Sequence, residues 1–465
     1  MMSTETDTSN SRGLPKVKPR PDLTFYLLLA LFLTSPLYAA AKRSAPELIA
    51  LAASGKPGLP EAIGATFSQS VLKDGRAFAA RGGDFFFALE SDLPPALVMD
   101  EGPPMPMKSI VGSKLWFGVI HTDKVSFDHR FHYVIGGADF GGSFDLPALG
   151  PLSYLQPGVL SGTVSEKITH VSKIYDGMKT DYRIYVPAQY DPKIPAALMV
   201  FQDGLSDLDR NGNNPILNVI DNLIALKKIP VIICLFVDPG DISGSPGTPT
   251  YAFVKKFMKE HNRKMADSMR SAEYDTVSDR YEHFLHDEIL AEVDRRYNIR
   301  QDAYSRAAMG FSSGGICAFN LAWQAPDDFS RVISWMGSFG AHQWKERPDV
   351  FDGGQDFPEK VLRESRRNMR VWLADGSNDL EQIYGSWPLD NIRMANALKM
   401  AGYDFHFSFG TGAHSSSYGA TQFPEEMIWL WRDYDPAMTQ QTYEMEQTEK
   451  ARPVFRVSIT NRDAR

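Results

Sequence analysis

The chain is poor in cysteine: its 465 residues contain only Cys234 and Cys317. Two cysteines exclude a disulfide framework, so the fold must be held by its core. Both lie in apolar segments, where a free thiol packs as a small hydrophobe. Positive charge is also in deficit, with 49 Lys and Arg against 57 Asp and Glu and a net charge of −8. An acidic protein is not drawn to nucleic acid or to an anionic membrane surface. No Gly-x-Gly-x-x-Gly follows a first strand and no phosphate-binding loop occurs, so no nucleotide cofactor is indicated.

Metal-binding patterns are present only in fragments. Asp207-Leu208-Asp209-Arg210-Asn211-Gly212 resembles the start of a calcium loop, but its twelfth position is Asn218, where a bidentate Glu is needed. His283 and His286 are spaced to share a helix face and are near Asp287 and Glu288, yet no third ligand follows at a defined spacing. A solvated helix face is the expectation there, and no metal or other cofactor is expected.

What the chain does have is the composition of a globular protein, 43% hydrophobic and 23% charged, and a length that suggests two or three domains. Lys16, Lys18 and Arg20 precede an apolar run from Leu23 to Leu33, and Ala39-Ala40-Ala41 offers small residues for cleavage. This is the layout of a secretory signal peptide over residues 1–41. The run is well short of the roughly 20 residues a spanning helix needs. The expectation is a secreted or periplasmic protein with no stable membrane insertion after cleavage; a retained N-terminal anchor is the alternative.

Residues 42 to about 70 read as polar helix. Short apolar runs then follow, Phe85 to Leu89, Leu115 to Ile120 and Phe131 to Ile135, separated by Gly, Pro and Asp clusters. Such punctuation predicts a small all-β, sandwich-like domain within 42–150, with a Pro- and Gly-bearing linker at 151–159. From 160 to 435 strands alternate with helices. A hairpin is expected from Ile174-Tyr175 and Tyr182 to Val186. Buried strands are expected at Ala196 to Phe201, Pro230 to Val237, Arg331 to Met336, Arg370 to Ala374 and Tyr403 to Phe409. Helices are expected at Ile216 to Leu226, Tyr281 to Tyr297, Ile392 to Ala401 and Pro424 to Tyr434. That alternation implies a mainly parallel sheet covered on both faces, with its site beyond the carboxyl ends of the strands. Residues 436–465 form a polar tail, expected to be disordered or loosely docked.

The organising stretch is Met309-Gly310-Phe311-Ser312-Ser313-Gly314-Gly315. It fits the Gly-x-Ser-x-Gly elbow, in which a serine on a tight strand-to-helix turn stands above the sheet. Tyr304 to Met309 supplies a strand before it, and Ile316 to Trp323 has helical apolar spacing after it. A serine hydroxyl needs a base, and the base needs an acid to orient it. In the usual chain order both follow the serine. Three histidines do: His342, which precedes every plausible acid loop, His406, embedded among strand aromatics, and His414, in a loop just past that strand. His414 is the candidate base. Candidate acids lie in the loop after Val371 to Ala374. Asp375 and Asp379 both qualify; Asp379 is favoured because it is carried further out, and Glu381 is more distant. An oxyanion needs N–H donors, which Ser313 and the turn Gln202-Asp203-Gly204-Leu205 can offer.

Together with Pro230-Val231-Ile232, Glu273-Tyr274-Asp275, Gly337-Ser338-Phe339, Gly412-Ala413-His414-Ser415 and Trp429-Leu430-Trp431, these residues resemble the putative-esterase family of α/β-hydrolases. That family includes enterochelin esterases, feruloyl esterases, S-formylglutathione hydrolases and mycolyltransferases. The resemblance covers about 160 to 434, and the preceding β-rich segment is similar to the N-terminal domain of the enterochelin-esterase branch. It implies an α/β-hydrolase fold, Ser312 as nucleophile, His414 as base and Asp379 as acid, with Leu205 and Ser313, beside Gly204, supplying oxyanion N–H groups. Asp203, Tyr274 and Trp387 are candidate substrate contacts. The expected activity is hydrolysis of small-molecule esters of siderophore, hydroxycinnamoyl or sugar type. The rival readings are acyl transfer by the same triad and a non-catalytic binding protein on a hydrolase scaffold.

Overall fold

The computed structural model describes residues 42–55, 57–242, 269–340, 353–382 and 384–456. The expected signal segment and His342 lie outside the described residues. Residues 42–465 form one compact unit.

The central sheet is built from segments without polar alternation, such as Ile232–Val237 and Ala197–Gln202, in which every residue is buried. A strand with no polar face must be covered on both sides, and it is. The strands Ala197–Gln202, Ile232–Val237, Arg306–Phe311, Arg331–Trp335, Arg370–Asn378 and Asp404–Ala413 run parallel. Across the sheet the order is Ile168–Val171, Lys179–Val186, Ile232–Val237, Ala197–Gln202, Arg306–Phe311, Arg331–Trp335, Arg370–Asn378, Asp404–Ala413. This is the expected mainly parallel α/β-hydrolase sheet, with an antiparallel pair at one edge. One face is covered by the helices Ser313–Gln324, Phe357–Arg363 and Trp387–Met400 with Tyr281 and Phe284. The other is covered by Ile216–Ala225 and Ser416–Leu430.

Strand order reverses around Ala197–Gln202, whose successor Ile232–Val237 lies to one side and whose later neighbour Arg306–Phe311 lies to the other. A reversal of this kind leaves a crevice at the carboxyl ends of the strands. Ser312 follows the last residue of the second of them.

The N-terminal part has two four-stranded antiparallel sheets. Phe85, Phe87 and Leu89 pack between them against Leu97, Phe131, Tyr133 and Leu146. Alternate residues of the same strand, Phe86 and Ala88, meet Leu48, Leu59 and Ile63 of the helices Ala45–Ser54 and Leu59–Thr66. The strand Asp84–Glu90 is thus buried on both faces, by the second sheet on one side and by the helices of residues 45–66 on the other. The segment after Gly150 lies along the helix Ile216–Ala225, where Asn222 Nδ2 donates to the carbonyls of Leu152 and Tyr154 at 2.8 Å each.

Three local expectations are corrected. The partner of Lys179–Val186 is Ile168–Val171, because Ile174 and Tyr175 fall in the turn between the two. The long helix from Tyr281 changes to π geometry over Phe284–Leu290 and ends at Asp294. The tail is docked as far as it is described: Tyr443 and Met445 are buried, Tyr443 Oη meets Ser330 Oγ at 3.0 Å, and Glu449 pairs with Lys399 at 3.0 Å. Scattered apolar residues in a polar segment were enough to seat it.

Candidate active site

Ser312 sits at φ 59° and ψ −119°, a left-handed conformation that costs a non-glycine residue energy and persists only when the surroundings enforce it. The enforcement is visible. The Ser312 N–H donates to the Trp335 carbonyl at 2.8 Å, and the Ser338 N–H donates to the Ser312 carbonyl at 3.1 Å. The flanking glycines permit the turn: a Cβ on Gly310 would lie 2.3 Å from the Gly314 backbone, and one on Gly315 would lie 2.7 Å from Ser334 Oγ. Ser313 opens the helix Ser313–Gln324, so its N–H has no intrahelical acceptor.

His414 lies just beyond the strand Asp404–Ala413 and before Ser415, the N-cap of Ser416–Leu430. Its Nε2 is 2.9 Å from Ser312 Oγ and its Nδ1 is 2.5 Å from Asp379 Oδ1. The Phe311 ring lies 4.7 Å from the imidazole, centroid to centroid, and the Trp387 ring stands edge-on at 6.0 Å. Asp379 Oδ1 also accepts the Leu380 N–H at 2.5 Å. Three side chains distant in sequence therefore form one hydrogen-bonded relay, with the hydroxyl at the base and the base at a carboxylate.

The two candidate acids divide cleanly. Asp379 meets His414; Asp375 does not, and instead accepts the Gly376 N–H at 2.7 Å. Burial, and then the neighbouring Asp379, push the Asp375 carboxyl well above its ordinary range. Two adjacent carboxyls in a dry site cannot easily both ionise, so the neutral form is favoured at Asp375. Glu381 is exposed and accepts Ser386 Oγ at 2.8 Å. His406 lies flat on Trp372 at 4.0 Å, with burial lowering its pKa to about 4.

Other predicted site residues fare unevenly. Asp203, at φ 58°, is held by Arg270, whose Nη2 lies 2.7 Å from Oδ2. Arg270 also donates to the Phe311 carbonyl at 3.3 Å, which ties this turn to the elbow. Gly204 is buried against Phe201 and Phe236. The Leu205 N–H is taken: it donates to Asp238 Oδ1 at 3.1 Å. Tyr274 is 1% exposed and its hydroxyl donates to the Val237 carbonyl at 3.4 Å, so it supports the turn from beneath and presents no surface to a ligand. Trp387 is 2% exposed and walls the imidazole. A cavity of about 60 Å³ lined by Asp203, Ser206, Asp207, Asn214, Phe311 and Ser416 lies alongside the elbow.

The metal patterns do not assemble as spaced. In the calcium-like stretch, Arg210 turns to Asp221 at 2.7 Å and Asp207 accepts Asn214 Nδ2 at 3.0 Å. Glu288 turns away from the histidines and accepts the N–H groups of Lys173 and Ile174 at 2.7 and 3.1 Å. Among the described residues, Glu282, His286 and Asp328 do gather ligand atoms within 4.8 Å, but Arg306 already pairs with Asp328 at 3.2 Å. Sequence reasoning missed Asp145, which accepts the Ala413 N–H at 2.9 Å from 268 residues away, and Asp238. No local pattern marks either one.

The family model described as Putative esterase matches residues 175–430, more than half of the chain. The chain belongs to the putative-esterase family. Its activity is carboxylic ester hydrolysis, with small-molecule esters as substrates. A search of curated proteins gives no match. Distant likenesses are found among solved structures. A ferulic acid esterase is 16% identical with a TM-score of 0.43, covering 59% of this chain and 100% of its own. The enterobactin esterase from Shigella flexneri is 14% identical with a TM-score of 0.49, covering 78% and 98%. The feruloyl esterase module from Clostridium thermocellum is 16% identical with a TM-score of 0.41, covering 61% and 93%. Among the described residues of this esterase, no helix is long and apolar enough to cross a membrane.

Proposed function

We propose that this esterase is an exported serine hydrolase working through an acyl-enzyme, with Ser312 as nucleophile, His414 as general base and Asp379 as its orienting acid. The observation that carries the reading is the unbroken relay of 2.9 and 2.5 Å from Ser312 Oγ through the imidazole to Asp379. As Ser312 Oγ attacks the ester carbonyl, its proton passes to His414 Nε2, and the charge of Asp379 stabilises the imidazolium. The same proton is then given to the departing alcohol. Water, deprotonated by His414, releases the acid.

The tetrahedral oxygen needs donors, each worth about 3 kcal/mol. Ser313 N–H and Gly204 N–H suit this role. Leu205 N–H could join them only by leaving Asp238, whose carboxyl is raised above its ordinary range by burial first and by Asp203. Siderophore-type, hydroxycinnamoyl and sugar esters are the proposed substrate classes.

Turnover of a small chromogenic ester by the wild type and by Ser312→Ala tests the reading, together with mass-spectrometric location of a fluorophosphonate adduct. Loss of roughly 10³-fold or more in kcat is expected, with the adduct on Ser312. Equal turnover by the two proteins sinks it. Running the reaction with sugar alcohols competing against water separates hydrolysis from acyl transfer.

A further inference from the structure

The N-terminal domain reaches into the histidine loop. Among the described residues, the strand Asp404–Ala413 is the last of the central sheet, so one of its sides has no strand neighbour there. At its end the Ala413 N–H donates to Asp145 Oδ1 at 2.9 Å, and Asp145 belongs to the strand Ala138–Ala148 of the N-terminal domain. That strand packs against both the histidine strand and the helix Ser416–Leu430, and its partner Phe127–Ile135 packs on the same helix. His414 hangs between these two elements. Asp145 is itself fixed: its N–H donates to Ser143 Oγ at 3.1 Å, and that hydroxyl donates to the Asp145 carbonyl at 2.9 Å.

A second carboxyl stands beside it. Both oxygens of Asp128 are shielded from solvent and, among the described residues, have no partner in ordinary hydrogen-bond geometry. Burial first, and then the charge of Asp145, push Asp128 up to about 9. At neutral pH Asp128 is therefore uncharged. Asp145 is raised too, by burial first, but the Ala413 N–H is the leading influence that pulls it back toward the ionised form. Asp145 is the member of the pair that accepts an N–H from the loop.

We propose that Asp145 is a positioning residue for His414, holding the backbone of the base from a second domain and adding a negative charge that favours its protonated form during turnover. This rests on the triad reading above. Among the described residues, the acids facing His414 are Asp379 at the end of its strand and Asp145 from the N-terminal strands. Behind Asp145 stands Asp128, which in turn feels Asp100 and lies near Tyr418 of the helix. With Asp128 neutral, removing the charge of Asp145 makes imidazolium less favourable. The acid limb of kcat/KM then moves to lower pH.

The experiment uses the full chain and a small chromogenic ester, with Asp145→Asn, Asp145→Ala and Ser312→Ala measured together for kcat, KM, pH profile and melting temperature. Asn keeps an acceptor for the Ala413 N–H and loses the charge. It is expected to melt with the wild type, to shift the acid limb down by about half a pH unit, and to lower kcat about threefold. Ala loses both and is expected to lower kcat about 10- to 100-fold at little changed KM, as when a group that orients a catalytic partner is removed. An acid limb that stays put in Asp145→Asn while Ser312→Ala is dead overturns the inference and leaves the triad reading standing. An active Ser312→Ala overturns both. Should Asp145→Ala fail to fold, Asp145→Asn decides alone.

Discussion

The two ends of the central sheet are built from opposite charges. At the amino ends, Arg306, Arg331 and Arg370 open three adjacent strands and Asp404 opens the fourth, with Arg331 opposite Arg370 and Arg370 opposite Asp404. Arg331 lies over the rings of Trp431, Tyr304 and Tyr443 at 4.7, 4.9 and 5.2 Å and donates from Nε to the Tyr304 carbonyl at 2.9 Å. Asp404 receives Arg370 at 2.7 Å and Arg432 at 2.6 Å. At the carboxyl ends stand acids: Asp203, Asp238, Asp375 and Asp379, with Ser312 held at positive φ among them. Cations stacked between rings and paired with carboxylates hold a fold together. Acids crowded around a strained serine do not, and such strain collects where a reaction needs it. Damage at one end should therefore cost stability, and damage at the other should cost rate.

The largest effect expected is at the acid pair. Asp379→Asn should lower kcat on the order of 10³- to 10⁴-fold, because the amide no longer holds the imidazole in the required tautomer. Asp375→Asn should change kcat only slightly and raise the melting temperature above pH 5. Asp375 is buried neutral in the folded protein, whereas its unfolded form ionises near 4, so the wild type loses stability as pH rises and the Asn variant does not. Steady-state kinetics with thermal melts at several pH values checks both. A larger kinetic loss in Asp375→Asn would exchange the two roles.

Next in size is the opposite end. Arg331→Ala should cost about 3 to 5 kcal/mol in denaturant unfolding, the penalty for dismantling a buried cation's site, while kcat per folded molecule stays at the wild-type value. Burial lowers the Arg331 pKa only to about 10, so the charge is present throughout the working range. A fall in kcat without a fall in stability would break the division between the two ends.

Much of this site is local in sequence, and that part was legible. The elbow declares itself through Gly310, Ser312 and Gly314, and chain order singles out His414 and the 375–379 loop. Asp379 was already favoured over Asp375 because it is carried further out along the loop, and its Oδ1 lies 2.5 Å from His414 Nδ1. Tyr274, a candidate substrate contact in the sequence, lies in a segment that folds inward, with Glu273 buried beside it. Asp145 was invisible for a different reason: its partner is a backbone N–H 268 residues away, and backbone groups leave no trace in a residue pattern. The tail was misjudged because a few residues, Tyr443 and Met445 among polar ones, suffice to dock a segment when an aromatic cage is already waiting for them.

The smallest effect expected concerns a second acid at the carboxyl end, Glu273. It is 1% exposed, and its Oε2 accepts the Gly240 N–H at 2.7 Å while Oε1 has no partner among the described residues. Burial pushes its pKa to about 8, against the opposing pull of that N–H. In the unfolded chain it ionises near the ordinary value of about 4.3. Between those two pH values the unfolded state gives up a proton that the folded state keeps, so the wild type weakens as pH rises, and the loss is complete above about 8. Glu273→Gln keeps the bond to Gly240 and cannot ionise. Its melting temperature should match the wild type near pH 4, exceed it by a few degrees at pH 8, and gain nothing more beyond. A difference that is flat with pH would mean that Glu273 is charged in the folded protein, and the carboxyl end would then tolerate one more negative charge than its geometry allows.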